Sequence, residues 1–161
     1  MSGNGGEPVD GVRIRGARRE DLRAIVALLA DDRLGATREE ATDPLPAAYG
    51  EAFDAIVAQG GNEVLVAEDE AGRVVGCLQL MVLPGLSRRG MTRGLIEGVR
   101  VASELRGRGI GERLVRDAIE RARAAGCGLV QLTSDRSRAD AHRFYERLGF
   151  TASHVGMKLE L

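Results

Sequence analysis

The apolar residues of the chain change their spacing several times, and each change marks an element. Val12 to Arg15 alternates apolar and basic residues and predicts a short edge strand. From Arg19 the spacing lengthens. Leu22, Ile25, Val26 and Leu29 form the stripe of an amphipathic helix, with Glu20 and Asp21 at its positive N-terminus and an end near Leu34 and Gly35. Thr37 to Pro46 is polar and carries two prolines, after which Tyr49, Phe53, Ile56 and Val57 predict a second helix that stops at Gly60 and Gly61. Strand-length apolar runs follow at Glu63 to Glu68 and Val74 to Leu83, joined as a hairpin by Asp69-Glu70-Ala71-Gly72. Pro84 to Arg93 breaks the pattern, and Gly94 to Val101 resumes it as a strand.

In the second half, Ile110, Leu114, Ala118, Ala122 and Ala125 recur at helical spacing between Gly109 and Gly126. Leu129 to Thr133 is a short continuous apolar run, the pattern of a strand buried on both faces. Ala139 to Leu148 predicts a helix with Ala141, Phe144, Tyr145 and Leu148 on one side and Gly149 as its C-cap. Thr151 to Leu161 is expected to add one or two closing strands. The order β-α-α-β-β-β-α-β-α-β describes one α/β (α+β) domain over residues 11–161, with a mixed sheet and a disordered lead-in over residues 1–10, which are rich in Gly, Asn, Ser and Pro.

Composition narrows the function. The 161 residues are 43% hydrophobic and 29% charged, as in a globular domain able to fold on its own core. Lys+Arg 23 against Asp+Glu 24 gives a net charge of -1, which removes the long-range attraction expected of a nucleic-acid or acidic-membrane binder. The chain lacks both a run of ~20 apolar residues and a signal-peptide pattern at Met1 to Gly11, so a cytoplasmic location is expected. Cys77 and Cys127 stand in apolar contexts and read as buried, reduced thiols; with no C-x-x-C pair or histidine cluster, no metal site is expected. Glycine is the outlier, at 22 residues.

The glycines concentrate where a strand meets a helix: Val99-Arg100-Val101-Ala102-Ser103-Glu104-Leu105-Arg106-Gly107-Arg108-Gly109-Ile110-Gly111. Glycines permit close approach of a ligand, and the unpaired N–H groups and dipole of a helix start favour an anion, so the segment predicts a phosphate or pyrophosphate site, with Arg106 and Arg108 adding charge-assisted hydrogen bonds. A dinucleotide fingerprint would need glycine at position 112, which is Glu112. A P-loop needs Gly-Lys-Ser/Thr, and the only lysine is Lys158.

Arg106-Gly107-Arg108-Gly109-Ile110-Gly111 after a Val-x-Val strand, followed by Ala141-His142-Arg143-Phe144-Tyr145-Glu146-Arg147-Leu148-Gly149-Phe150, resembles the GCN5-related N-acetyltransferase (GNAT) superfamily. The resemblance covers roughly Val12 to the C-terminus. It implies the GNAT fold, a mixed and mostly antiparallel sheet with two splayed strands flanked by about four helices. It also implies acetyl-CoA as co-substrate, with the pyrophosphate on Gly107, Arg108, Gly109, Ile110, Gly111 and Glu112. The pantetheine arm would lie along Val99, Arg100 and Val101, where an unpaired strand edge binds amides as it binds a peptide.

The resemblance makes Tyr145 the acid that protonates the leaving thiolate of CoA; an amphipathic core aromatic is the competing reading. Glu97 is the candidate base for the attacking amine. Strict alternation puts Glu97 on the face of Val99 and Val101, but Gly98 is a candidate bulge that would re-aim it. Many family members have asparagine seven residues before the tyrosine; here that place is Arg138, which leaves its cofactor contact open. The second helix and the loop 84–93, with Arg88, Arg89 and Arg93, are expected to wall the acceptor site and favour an amine that also carries carboxylate or phosphate. The implied activity is acetyl transfer to the primary amine of a small molecule by direct attack. The alternatives are a protein amino group as acceptor, or a catalytically silent acyl-CoA sensor. A homodimer is an open expectation.

Overall fold

The computed structural model describes residues 11–161, so the lead-in expected over residues 1–10 lies outside the described residues. Five strands, β1 (Arg13–Gly16), β2 (Asn62–Glu68), β3 (Val74–Leu83), β4 (Arg93–Val101) and β5 (Leu129–Leu132), form one sheet in that order. The first four are antiparallel neighbours and β5 runs parallel to β4. The helices are α1 (Leu22–Ala30), α2 (Ala47–Ala58), α3 (Ile110–Ala124) and α4 (Ala139–Arg147). A parallel neighbour requires a crossover, and α3 supplies it between β4 and β5.

Alternation along the strands builds two cores. Leu65 and Ala67 of β2, Leu78 and Leu80 of β3 and Ile96 of β4 face Ile110, Leu114, Val115, Ala118 and Ala122 of α3, with Phe144 and Tyr145 of α4 and its C-cap Leu148 packed at the margin. Val66 and Cys77, the alternate residues, face Ile25 and Leu28 of α1 on the opposite side. Leu65, Val66, Leu114 and Val115 are completely buried. Each such side chain removed from water contributes on the order of 2 kcal/mol, so both faces are strongly committed to their helices.

In β4, Gln79 stands opposite Glu97 but Cys77 stands opposite Arg100, so β4 carries one more residue than β3 across this step. Gly98 takes φ +62°, the left-handed conformation that a bulge of this kind asks of glycine. The bulge resets the alternation. Val99 and Val101 join Ile96 on the α3 face, which leaves Glu97 and Arg100 on the face of α1, where a Cβ on Gly98 would lie 3.6 Å from Leu29.

Three expectations need correction. β5 is not buried on both faces: Gln131 is exposed and Leu129, Val130 and Leu132 are half-buried, because β5 is the last strand of the sheet among the described residues. Thr151 to Leu161 forms no strand, and every residue of it is exposed. The first helix ends at Ala30 instead of near Leu34, because the Asp32 carboxylate takes the Gly35 N–H and turns the chain. No helix among the described residues is long and apolar enough to cross a membrane.

Candidate active site

The β4–β5 pairing covers Arg93–Ile96 against Leu129–Leu132 and stops there, whereas β4 continues to Val101. From Glu97 onward the strands part, and the side of β4 that faced β5 has no strand neighbour. Two carbonyls of this segment already accept from arginines: Val99 O from Arg100 Nη1 at 2.9 Å and Val101 O from Arg106 Nε at 3.1 Å.

At the end of the open segment the glycine loop leads into α3. Gly107 and Gly109 have φ +75° and +84°. Gly109 is the N-cap residue, and no side chain caps the first turn. A Cβ at either position would meet nothing within 4 Å, so the loop presents its backbone to open space. Unsatisfied N–H groups and the positive end of a 15-residue helix therefore coincide at Ile110, Gly111 and Glu112. Gly111 has the opposite surroundings: a Cβ there would lie 3.5 Å from both Phe144 and Val101, so the helix start is wedged between β4 and α4.

The arginines of the loop do different work. Arg106 ties the loop to the end of α1, donating from Nη2 to Asp31 O at 2.6 Å, and its guanidinium faces that helix. Arg108 is half-buried on the loop between the two glycines. Glu112 is exposed and paired with Arg116 at 2.8 Å.

Tyr145 stacks edge-on to Phe144 and Phe150, with ring centroids 5.0 and 5.8 Å away. Burial pushes its phenol pKa upward. The charges of Arg138 and Arg100 oppose that shift and the charge of Glu97 adds to it, which places all three within electrostatic reach of one hydroxyl. A raised value keeps the phenol protonated at neutral pH, the state a proton donor needs. Glu97 is exposed on the α1 face of β4, and its charge acts on this hydroxyl. His142, one turn before Tyr145, is bonded to Asp135 O at 2.9 Å.

Arg138 stands at the N-cap of α4, and Asp32 holds it there. Asp32 Oδ2 lies 3.2 Å from Arg138 Nη2 and 3.2 Å from Arg100 Nε. Sequence reasoning missed Asp32, since nothing in DDRLG marks it as the partner of residues 68 and 106 positions later. Burial works to raise the Asp32 pKa, but the Gly35 N–H and the two guanidinium charges outweigh it and hold the carboxyl below its ordinary value. Two cations thus share one carboxylate, and a net positive charge remains. Asp32→Asn is expected to lower stability by about 1–3 kcal/mol at neutral pH. Because the native pKa is depressed, this stabilisation is complete above the unfolded-state value of about 3.9 and is lost as pH falls through the native one. Denaturant titrations of both proteins from pH 7 to 2.5 should therefore converge at the acid end.

Beside this cluster lies a cavity of about 370 Å³ lined by Asp32, Arg33, Leu34, Ser137 and Arg138. A larger open groove, about 500 Å³, lies between β1 and α3 and contains none of the predicted site residues. The loop 84–92 is not at this site. It precedes Arg93, where β4 and β5 are still paired, roughly 20 Å from Val99 at ~3.3 Å per strand residue. Arg88 and Arg89 belong there to a left-handed turn with φ +54° and +61°. Helix α2 packs on β2, and Phe53 is its one buried residue.

The chain belongs to the acetyltransferase (GNAT) family, whose model matches residues 24–150. It is 41% identical over 90 residues to a glucosamine 6-phosphate N-acetyltransferase of Trypanosoma brucei brucei, covering 56% of this chain and 59% of that enzyme. The chain thus spans less than two thirds of that relative's length. It is 32% identical over 153 residues to an L-methionine sulfoximine/L-methionine sulfone acetyltransferase of Pseudomonas aeruginosa, covering 90% and 86% of the two chains. Among solved structures, one described as a transcriptional regulator from Bacillus halodurans C-125 superposes with a TM-score of 0.91 at 49% identity, covering 93% of this chain and 99% of that one.

Proposed function

We propose that the chain transfers acetyl from acetyl-CoA to the primary amine of a small molecule that also carries an anionic group, by direct attack in the gap between β4 and β5. The observation that carries this reading is the parting of the two strands after Ile96, with an uncapped, glycine-opened helix start at one end of the exposed edge and Tyr145 beside it. The pyrophosphate of CoA takes the first turn of α3, on the backbone from Gly107 to Glu112. The amides of pantetheine take the edge at Val99, Arg100 and Val101, displacing the arginine side chains from its carbonyls. Arg138 serves the acceptor side, since Asp32 already draws it there.

This pose sets the thioester between two proton-handling groups on opposite faces of the sheet. The amine arrives from the α1 face, and Glu97 takes its proton directly or through a water. Backbone N–H groups of the edge meet the oxyanion of the tetrahedral intermediate. As that intermediate collapses, the C–S bond breaks, the C–N bond remains, and the Tyr145 hydroxyl gives its proton to the departing thiolate. Direct attack also fits the thiols: burial pushes the Cys77 pKa up to about 12 and raises that of Cys127, so neither supplies a thiolate nucleophile at neutral pH. Two unbridged cysteines suit a reducing, cytoplasmic setting.

The acceptor class rests on the residual positive charge of Arg100, Arg138 and the adjacent Arg33 beside the 370 Å³ cavity. The names of both curated relatives fit it, since glucosamine 6-phosphate and methionine sulfoximine each join an amine to an acidic group. A matched pair of amines, an aminoalkyl phosphonate and the unsubstituted alkylamine of equal length, tests it by CoA thiol release. A charge-assisted contact predicts kcat/KM about 10- to 100-fold higher for the phosphonate. Equal values for the pair reject the anionic acceptor. A second reading, an acyl-CoA sensor without turnover, is supported by the description of the Bacillus halodurans relative as a regulator.

A further inference from the structure

β3 runs VVGCLQLMVL, and Gln79 is the one amide side chain in an otherwise apolar strand. It is half-buried on the α1 face, two positions on from Cys77. An amide carried into such a place is costly unless it is hydrogen-bonded, and one end of this one is. Gln79 Nε2 donates to Asn62 Oδ1 at 2.8 Å, and Asn62 Nδ2 donates in turn to Oε1 of Gln59, the C-cap residue of α2, at 3.1 Å. The sequence holds five asparagines and glutamines, and three of them stand in this row, which is more than a scatter of surface amides would put there.

The row has a direction. Gln79 spends its NH2 group on β2, so its carbonyl is the end turned away from β2, on the side where β4 runs. That oxygen accepts no hydrogen bond within the protein among the described residues. Its neighbour is Glu97. The two residues stand directly opposite in the β3–β4 register, a pairing that sets both side chains on one face with Cβ atoms about 4.5–5.5 Å apart. Glu97 is exposed and makes no hydrogen bond or ion pair among the described residues. A carbonyl and an ionised carboxylate are both acceptors, so neither can satisfy the other. Their complement is a donor with two N–H groups on one nitrogen.

Resting on the transfer reading above, we propose that Gln79 and Glu97 together seat the amino group of the acceptor, and that Gln79 favours primary over secondary amines. As a primary amine attacks, its lone pair forms the C–N bond and one of its two protons passes to Glu97. The other proton stays on nitrogen in the product amide, and Gln79 Oε1 accepts it, which fixes the direction of the lone pair. The proton taken by Glu97 balances the one that Tyr145 gives to the leaving thiolate. A secondary amine has a single N–H, which Glu97 takes, and so leaves Gln79 Oε1 unpaired. Asn62 does not touch the substrate; it is a positioning residue that keeps the Gln79 amide from turning over. Arg100 stands opposite Cys77, the next residue of β3 on this face, so the seat adjoins the cationic side assigned to the anionic group.

CoA thiol release is measured with an aminoalkyl phosphonate and with its N-methyl derivative, for the wild type and for Gln79→Met, which keeps the length of the side chain but has no carbonyl. The variant is expected to lose about 10-fold in kcat/KM for the primary amine, the worth of one hydrogen bond, with little change for the N-methyl amine or in KM for acetyl-CoA. Asn62→Asp keeps an oxygen for Gln79 Nε2 and should retain the wild-type preference for the primary amine, whereas Asn62→Leu should lose most of it. A purely structural row would lower both amines alike. Equal losses for the two amines, a Gln79→Met with wild-type rates, or an Asn62→Asp that behaves as Asn62→Leu overturns the proposal. If Gln79→Met fails to fold, the two Asn62 variants decide. A wild type without amine-dependent release overturns the transfer reading and this proposal with it; wild-type release that is indifferent to Gln79 overturns this proposal alone.

Discussion

Replacement of Tyr145 by Phe is expected to lower kcat by about 10²- to 10⁴-fold, the range of positioned acid–base catalysis, with KM for acetyl-CoA close to that of the wild type. The hydroxyl makes no hydrogen bond within the protein among the described residues, while the ring packs against Phe144 and Phe150. Removing one oxygen therefore leaves both edge-on contacts and the margin of the core in place, and the melting temperature should change little. The loss falls on kcat because the hydrogen bond strengthens only as charge develops on sulfur. A variant with lower stability and undiminished turnover would make Tyr145 a packing residue. With chemistry confirmed as rate-limiting, wild-type rates would assign the proton to water or another group.

Gly109→Glu is expected to weaken CoA binding by more than about 100-fold through lost N–H contacts, an occupied phosphate position and like-charge repulsion. The φ of +84° imposes a separate cost on any side chain, on the order of 1 kcal/mol, and Gly109→Ala isolates it. Both variants should lose similar stability, since a Cβ at position 109 meets nothing within 4 Å. Only the glutamate variant should lose nearly all calorimetric affinity for CoA. Near-normal affinity in folded Gly109→Glu would mean that the anion sits elsewhere.

Local chemistry made much of this site legible in the sequence. Gly107 and Gly109 stand where the backbone needs positive φ, Ile110 to Ala122 repeat at helical spacing, and Gly98 signalled the bulge that separates Glu97 from Val99 and Val101. What stayed hidden depends on partners distant in the chain. Arg106 read as a phosphate ligand by its place among glycines, but its guanidinium turns to Asp31, 75 positions away. The basic loop at Arg88 and Arg89 read as an acceptor wall because strand order was known and register was not; pairing of Arg93 with Leu129 puts it at the closed end of the cleft. The cationic side belongs instead to Arg100 and Arg138, gathered by Asp32. The closing strands expected over Thr151 to Leu161 are absent, because a strand needs a paired neighbour and this segment has none in the sheet.

The central claim, acetyl transfer by direct attack in the gap between β4 and β5, is tested most directly by following CoA thiol release from acetyl-CoA with and without an anionic primary amine. The account predicts one thiol per acetylated amine and no rapid release before the amine is added, because no acetyl-enzyme forms. Tight CoA binding without amine-dependent release would contradict it in favour of a sensor, and a stoichiometric thiol burst in the absence of amine would contradict direct attack.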